Sequence, residues 1–176
     1  MVRMKEPAAV MSEPEAPAVP SSFEGFFEAE HVRLLRALYL VTGNEQEAEE
    51  LSQEAFLKVW ERWDRVVGME DPTGYLYRTA MNLFRSKARA ATRAARRLIG
   101  RGPDTDEFSA AEERDAVVRA LARLTPRQRA ALVLTELLGY SSEEAAEILG
   151  IKAVTVRVLG SQGRAAMREL LECDDE

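Results

Sequence analysis

Apolar residues in this chain recur every three or four positions and nowhere alternate. Phe23, Phe27, Leu34, Leu38 and Val41 keep this spacing, and Ala48, Leu51, Ala55, Val59 and Trp63 keep it again. Such a period lines one side of a helix, whereas a half-buried strand needs a period of two. The chain is therefore expected to be all-α. Local signals divide it. Thr42-Gly43-Asn44 ends the first helix, Asn44 is a fitting N-cap, and Glu47 completes a capping-box pattern. A second helix is expected from Glu45 to about Trp63. A loop follows from Arg65 to Gly74, and Pro72 suits the first turn of a third, long helix reaching about Ile99.

Gly100-Arg101-Gly102-Pro103-Asp104 is the strongest break inside the chain, and the acidic stretch after it lacks an apolar period. A second helical block should run from about Ala110 to Leu171, broken at Leu124-Thr125-Pro126, Gly139-Tyr140-Ser141 and Leu149-Gly150-Ile151. Four of the seven prolines fall within residues 1–22, a composition that cannot bury a core. The expected organisation is a disordered tail (1–22) and a helical domain (23–100). A flexible acidic linker (101–113), a second helical domain (114–171) and an acidic tail (172–176) follow.

Composition excludes several functions. With 24 Lys+Arg against 30 Asp+Glu in 176 residues, the net charge is −6, so a uniformly basic nucleic-acid coat is ruled out. Cys173 is the one cysteine and His31 the one histidine. Neither an intramolecular disulfide nor a Cys/His zinc cluster can form. A Ser-His-Asp arrangement would have to use His31, which has no motif around it. No apolar run approaches the roughly 18 residues of a membrane span, and the N-terminus lacks a signal-peptide core. The expectation is a cytoplasmic protein without metal, cofactor or catalytic residue.

Charge is segregated along the chain. Thr73 to Pro103 contains no acidic residue but holds Arg78, Arg85, Lys87, Arg89, Arg93, Arg96, Arg97 and Arg101. No Glu at i±4 laces this face, and Tyr75, Tyr77 and Phe84 are interleaved with the cations. Arginine binds phosphate and aromatic rings stack on unpaired bases, so the segment favours nucleic acid over a plain solvated face. The preceding helix is the opposite: Glu45, Glu47, Glu49, Glu50, Glu54 and Glu61 outnumber Lys58 and Arg62. An acidic helix suits a basic protein surface. Farther on, a short helix capped by Ser141 or Ser142, a turn at Gly150 and a basic helix opening near Lys152 make a helix-turn-helix pattern. Ile151 and Val156 are expected to pack back on its first helix.

Three stretches in this order resemble bacterial sigma factors of the extracytoplasmic-function (ECF) type. Glu47-Ala48-Glu49-Glu50-Leu51-Ser52-Gln53-Glu54-Ala55-Phe56-Leu57-Lys58-Val59-Trp60 is similar to the family's region 2.2. Gly74-Tyr75-Leu76-Tyr77-Arg78-Thr79-Ala80-Met81-Asn82-Leu83 is similar to region 2.3 leading into region 2.4. Leu124-Thr125-Pro126-Arg127-Gln128-Arg129 with the helix-turn-helix is similar to region 4. The resemblance implies a non-enzymatic initiation factor that binds core RNA polymerase, directs it to promoters and helps melt the −10 element. Glu50, Gln53 and Glu54 would meet the β′ clamp helices, while the second domain would meet the β flap. Tyr75, Tyr77, Arg78 and Asn82 would engage the −10 element, and Gly68 to Gly74 would receive a flipped-out base. Arg85, Lys87, Arg89 and the following cations would mainly hold phosphates. Lys152, Thr155, Arg157, Ser161, Gln162 and Arg164 would face the −35 element. An anti-sigma partner and a monomeric free state are also implied.

The chain departs from the family pattern at Ser86, where an acidic residue is common, and at Tyr75, which replaces a common Trp. The larger departure is Val158-Leu159-Gly160-Ser161-Gln162-Gly163 in the recognition helix, which changes the residues that read the −35 element. Gly160 and Gly163 cost helix propensity, or else allow close packing. An alternative function is a free-standing helix-turn-helix regulator that needs no polymerase, but no sustained apolar seam for dimerisation is present. Trp60 and Trp63 are expected in the core, with contact to a partner as the second reading, and His31 as a partly exposed helix residue. The acidic linker, with Asp104, Asp106 and Glu107, is a candidate cover for the basic face.

Overall fold

The computed structural model describes residues 21–97 and 116–174. The expected tail as far as residue 20, the linker and the expected helix start at Ala110 lie outside these residues. Among the described residues there are helices and turns and no strand.

The first unit holds α1 (Phe23–Thr42), α2 (Glu45–Trp60), the single turn α3 (Trp63–Val66) and α4 (Pro72–Arg97). Gly43 ends α1 with φ 74°, a left-handed conformation that glycine adopts without steric cost. Asn44 caps α2 by accepting the Glu47 N–H at 2.9 Å. The expected capping box is seen as that one half, because the Glu47 carboxylate faces Lys87 at 3.8 Å. At the start of α4, the Asp71 carboxylate accepts the Gly74 N–H at 2.8 Å. A Cβ at Gly74 would collide with that carboxylate. The expected loop is thus shorter than its sequence signals suggest, and α2 stops at Trp60 instead of reaching Trp63. The break swings the Trp63 ring onto Phe26 at 5.2 Å and edge-on to Phe23 at 5.7 Å. Aromatic packing has overridden helix propensity at that point.

The second unit holds α5 (Ala116–Ala122), α6 (Pro126–Leu132), α7 (Ser142–Leu149) and α8 (Ala153–Asp174). Thr125 with Gln128, and Ser141 with Glu144, form complete capping boxes. Gly150, at φ 61°, makes the turn between α7 and α8. Ile151 packs against the core and Val156 is buried, as the helix-turn-helix pattern requires. A π-helical turn over Val133–Leu137 prolongs α6 without a break, and no sequence signal announced it.

The two units share one core. Leu34, Leu38, Val59, Leu76 and Met81 from the first unit join Val133, Leu134, Ile148, Leu149 and Val156 from the second. Within the second unit α8 lies so close to α6 that a Cβ on Gly163 would sit 2.8 Å from Leu132 Cδ1. A Cβ on Gly160 would meet only the guanidinium end of the Arg164 side chain, at 3.3 Å. The two helix-interior glycines therefore differ in role, although the sequence treats them alike. Gly163→Ala should lower the unfolding free energy by about 1–2 kcal/mol through overpacking. Gly160→Ala should raise it by about 0.5–1 kcal/mol through helix propensity. Urea denaturation of the two variants followed by circular dichroism measures both.

Candidate nucleic-acid and partner interfaces

The amphipathic period of α2 decides which of its side chains reach solvent. Ala48, Leu51, Ala55, Phe56 and Val59 turn inward, so Glu50, Gln53 and Glu54 share the opposite, exposed side. Glu50 accepts from Lys87 Nζ at 2.8 Å and from Gln46 at 3.3 Å. These bonds, Lys87 first, hold its carboxyl below the ordinary carboxylate value. Glu54 pairs with Lys58 at 3.5 Å. The same face continues through Leu57 and Trp60, 52% and 58% exposed. The exposure of Trp60 overturns the expectation of core packing and leaves the second reading, contact with a partner. The signal was present in the sequence, since positions 53, 57 and 60 fall off the Ala48–Val59 stripe.

The basic face of α4 is not the bare surface its sequence suggests. Arg78 pairs with Glu147 at 2.9 Å. Arg85 donates to the Leu149 carbonyl and, at 3.3 Å, to Asn82 Oδ1. Burial, aided by Arg89 and Arg127, lowers the affinity of Arg85 for its proton. Lys87 turns back to Glu50 and Glu47. The missing acids at i±4 are thus supplied by other helices. Tyr75 is half-buried, with its hydroxyl 3.3 Å from Arg62. Tyr77 is 1% exposed, and the Tyr140 ring meets it edge-on at 6.1 Å. Burial pushes the Tyr77 phenol up, and it pushes Tyr140 up to about 12. Asn82, Lys87, Arg89 and Arg93 are exposed.

Lys152, Thr155, Arg157, Ser161, Gln162 and Arg164 all lie exposed at or along α8. Val154 and Val158 join them, at 56% and 49% exposure. Arg157 is steadied by Glu143 at 2.8 Å and Arg164 by Glu136 at 2.7 Å. His31 is half-exposed and stacks on Phe27 at 4.9 Å, consistent with a helix-surface role. Among the described residues no group of acidic, His or Cys side chains could hold a metal ion, and no helix is long and apolar enough to cross a membrane.

Two family descriptions match the chain in order: Sigma-70 region 2 over residues 26–94 and Sigma-70, region 4 over residues 114–167. The ECF RNA polymerase sigma factor SigM of Mycobacterium tuberculosis is 30% identical over 156 residues, covering 85% of this chain and 77% of that protein. The chain belongs to the ECF RNA polymerase sigma factors. Its region 2 is the α1–α4 unit and its region 4 the α5–α8 unit. The ECF RNA polymerase sigma factor SigE of Mycolicibacterium smegmatis is 34% identical over 153 residues, covering 79% of this chain. The chain spans 57% of that relative's length. The fold is similar to that of the sigma factor RpoE, solved in complex with the anti-sigma factor NepR from Bartonella quintana. That likeness has a TM-score of 0.69 at 23% identity, over 86% of this chain and 98% of that one.

Glu30 sits beneath the region 2 surface, accepting from Thr73 at 3.3 Å. Desolvation lifts its carboxyl above the ordinary value of 4.5, with Arg33 and Thr73 opposing and Asp71 adding. Its contribution is fully present below the unfolded value and is lost as pH rises through the folded one. Glu30→Gln should therefore raise the melting temperature at pH 7.5, and this gain should vanish near pH 4. Thermal melts of both proteins across that range test the direction.

Proposed function

We propose that this protein binds core RNA polymerase and directs it to promoters, acting in the cytoplasm on the nucleoid. The observation that carries the reading is the opposition of two faces within region 2. On α2, Glu50, Gln53 and Glu54 are presented together with Leu57 and Trp60. On α4, cations and tyrosines follow one another without a single acid. Carboxylates ringing exposed apolar groups suit a basic helical partner, because charge-assisted bonds orient it and apolar burial holds it. The polymerase β′ clamp helices are the partner that family membership favours over an independent operator-binding role.

On α4, Arg85, Lys87 and Arg89 hold phosphates, while Tyr75, Tyr77, Arg78 and Asn82 engage the −10 strand once it is unpaired. Extruding a base costs a few kcal/mol, which stacking and edge contacts offset. On α8, Arg157 and Arg164 grip the −35 backbone. Gln162 can pair with adenine, and Val158 can touch a thymine methyl. Region 4 also meets the β flap. An anti-sigma protein is the expected regulator, in line with the complex of the RpoE relative.

The double charge reversal Glu50→Lys with Glu54→Lys should weaken co-purification with core polymerase by more than about tenfold. Both side chains are exposed, so helix content and melting temperature should stay near wild type. Retention of polymerase binding by this variant would refute the assignment of the α2 face.

A further inference from the structure

The outermost ridge of α8 carries no charge. Val156, Gly160 and Gly163 are buried and mark the side of the helix that packs on the rest of region 4. The helical period then places Val154, Val158, Ser161 and Ala165 on the opposite side, at spacings of four, three and four residues. All four are exposed, and Val154 and Val158 reach 56% and 49%. Isolated surface valines are ordinary. Here two of them lie one turn apart, in line with two small residues, where alanine would favour the helix more.

The flanks of this ridge have a different character. The same period puts Arg157, Arg164 and Arg168 along one flank and Thr155 and Gln162 along the other. From Ala153 to Arg168 the helix has no acid. Glu143 and Glu136 hold Arg157 and Arg164 at 2.8 and 2.7 Å. The two guanidinium groups are thereby drawn sideways, toward α7 and the π-helical turn, and leave the valines uncovered. Both pairs are exposed, so a phosphate can take the place of either carboxylate.

A cationic flank beside an apolar ridge fits duplex DNA better than it fits a protein. The arginines suit the phosphate wall of a major groove, and the ridge then faces the base edges. The thymine C5-methyl is the apolar group displayed there. Both valines lie in the first two turns of α8, the end of a recognition helix that meets base edges. Ser161 and Ala165 are small enough to let the helix backbone sit close to the groove floor.

We infer that Val154 and Val158 are specificity-determining residues of the −35 contact, each packing on the C5-methyl group of a thymine. This rests on the reading of α8 as the −35 helix and adds to it the chemistry that is read. Deoxyuridine in place of such a thymine keeps every hydrogen-bonding group of the base pair and loses only this contact.

The test uses holoenzyme assembled from core RNA polymerase and the full chain. Bound fragments are selected from a pool of randomised duplexes. The selected upstream element is then resynthesised with deoxyuridine at one thymine at a time, and binding is read by competition in fluorescence anisotropy. Wild-type holoenzyme should bind about three- to fivefold more weakly when either of two thymines is replaced, the effect of one buried methyl group. Holoenzyme carrying Val154→Ser with Val158→Ser should bind the thymine and deoxyuridine duplexes equally. Both side chains are exposed, so circular dichroism should show an intact fold. Equal binding of the two duplexes by wild type, or an unchanged thymine preference in the double variant, would overturn the methyl readout. A double variant that no longer binds core would assign the ridge to a protein partner and overturn it as well. A wild-type chain that fails to bind core, or a holoenzyme that selects no upstream element, defeats the proposed function itself, and the methyl readout falls with it.

Discussion

The guanidinium of Arg129 is fully enclosed, and it ends on backbone carbonyls from both halves of the molecule. It donates to Val41 O at 2.8 Å and Thr42 O at 3.5 Å, at the end of α1, and to Leu124 O at 3.0 Å and Leu121 O at 3.4 Å, beyond and within α5. The last carbonyls of a helix lack intrahelical partners, and they sit at the negative end of its dipole. A planar fork with five donors can serve several such carbonyls at once, which a lysine cannot do. Arg129 thereby sets α6 against α1. The π-helical turn, Tyr140 and α7 follow α6 in the chain, so this anchor acts with the shared core to set the position of region 4 over α4.

A different rule governs the cations assigned to function. Arg78, Lys87, Arg157 and Arg164 are paired with carboxylates, and their side chains are between 46% and 56% exposed. Such pairs are weak and exchange readily for another anion. The buried arginine is structural and bonded to carbonyls. The exposed ones are held in place by acids that a phosphate or a partner can displace. Lys87 joins two surfaces, since its partners Glu47 and Glu50 belong to the acidic helix. An anion on Lys87 would free Glu50 and a cation on Glu50 would free Lys87, so the acidic face of α2 and the basic face of α4 are electrostatically linked.

Much of the architecture was legible because its signals are local. The caps at Asn44 and Ser141, the break at Leu124-Thr125-Pro126, the turns at Gly43 and Gly150 and the acid-free run after Thr73 each depend on neighbours within a few positions. Misreadings arose where distant packing intervened. The stacking of Trp63 on Phe23 and Phe26 ended α2 early, and Trp60 was left outside. The Glu47 carboxylate was drawn to Lys87 instead of closing its capping box. The π-helical turn has no short-range signature. Gly160 and Gly163 look equivalent in sequence, yet only Gly163 lies against another helix closely enough to exclude a side chain.

By itself the sequence determined the helices, their caps, the two-unit order and which helix carries which charge, since helical period and capping act over three or four residues. Only the tertiary structure decided which of those charges face solvent. Arg78 meets a glutamate 69 positions away and Arg85 a carbonyl 64 positions away. Contacts of that separation depend on how two completed units pack, and no local pattern of residue types encodes that packing.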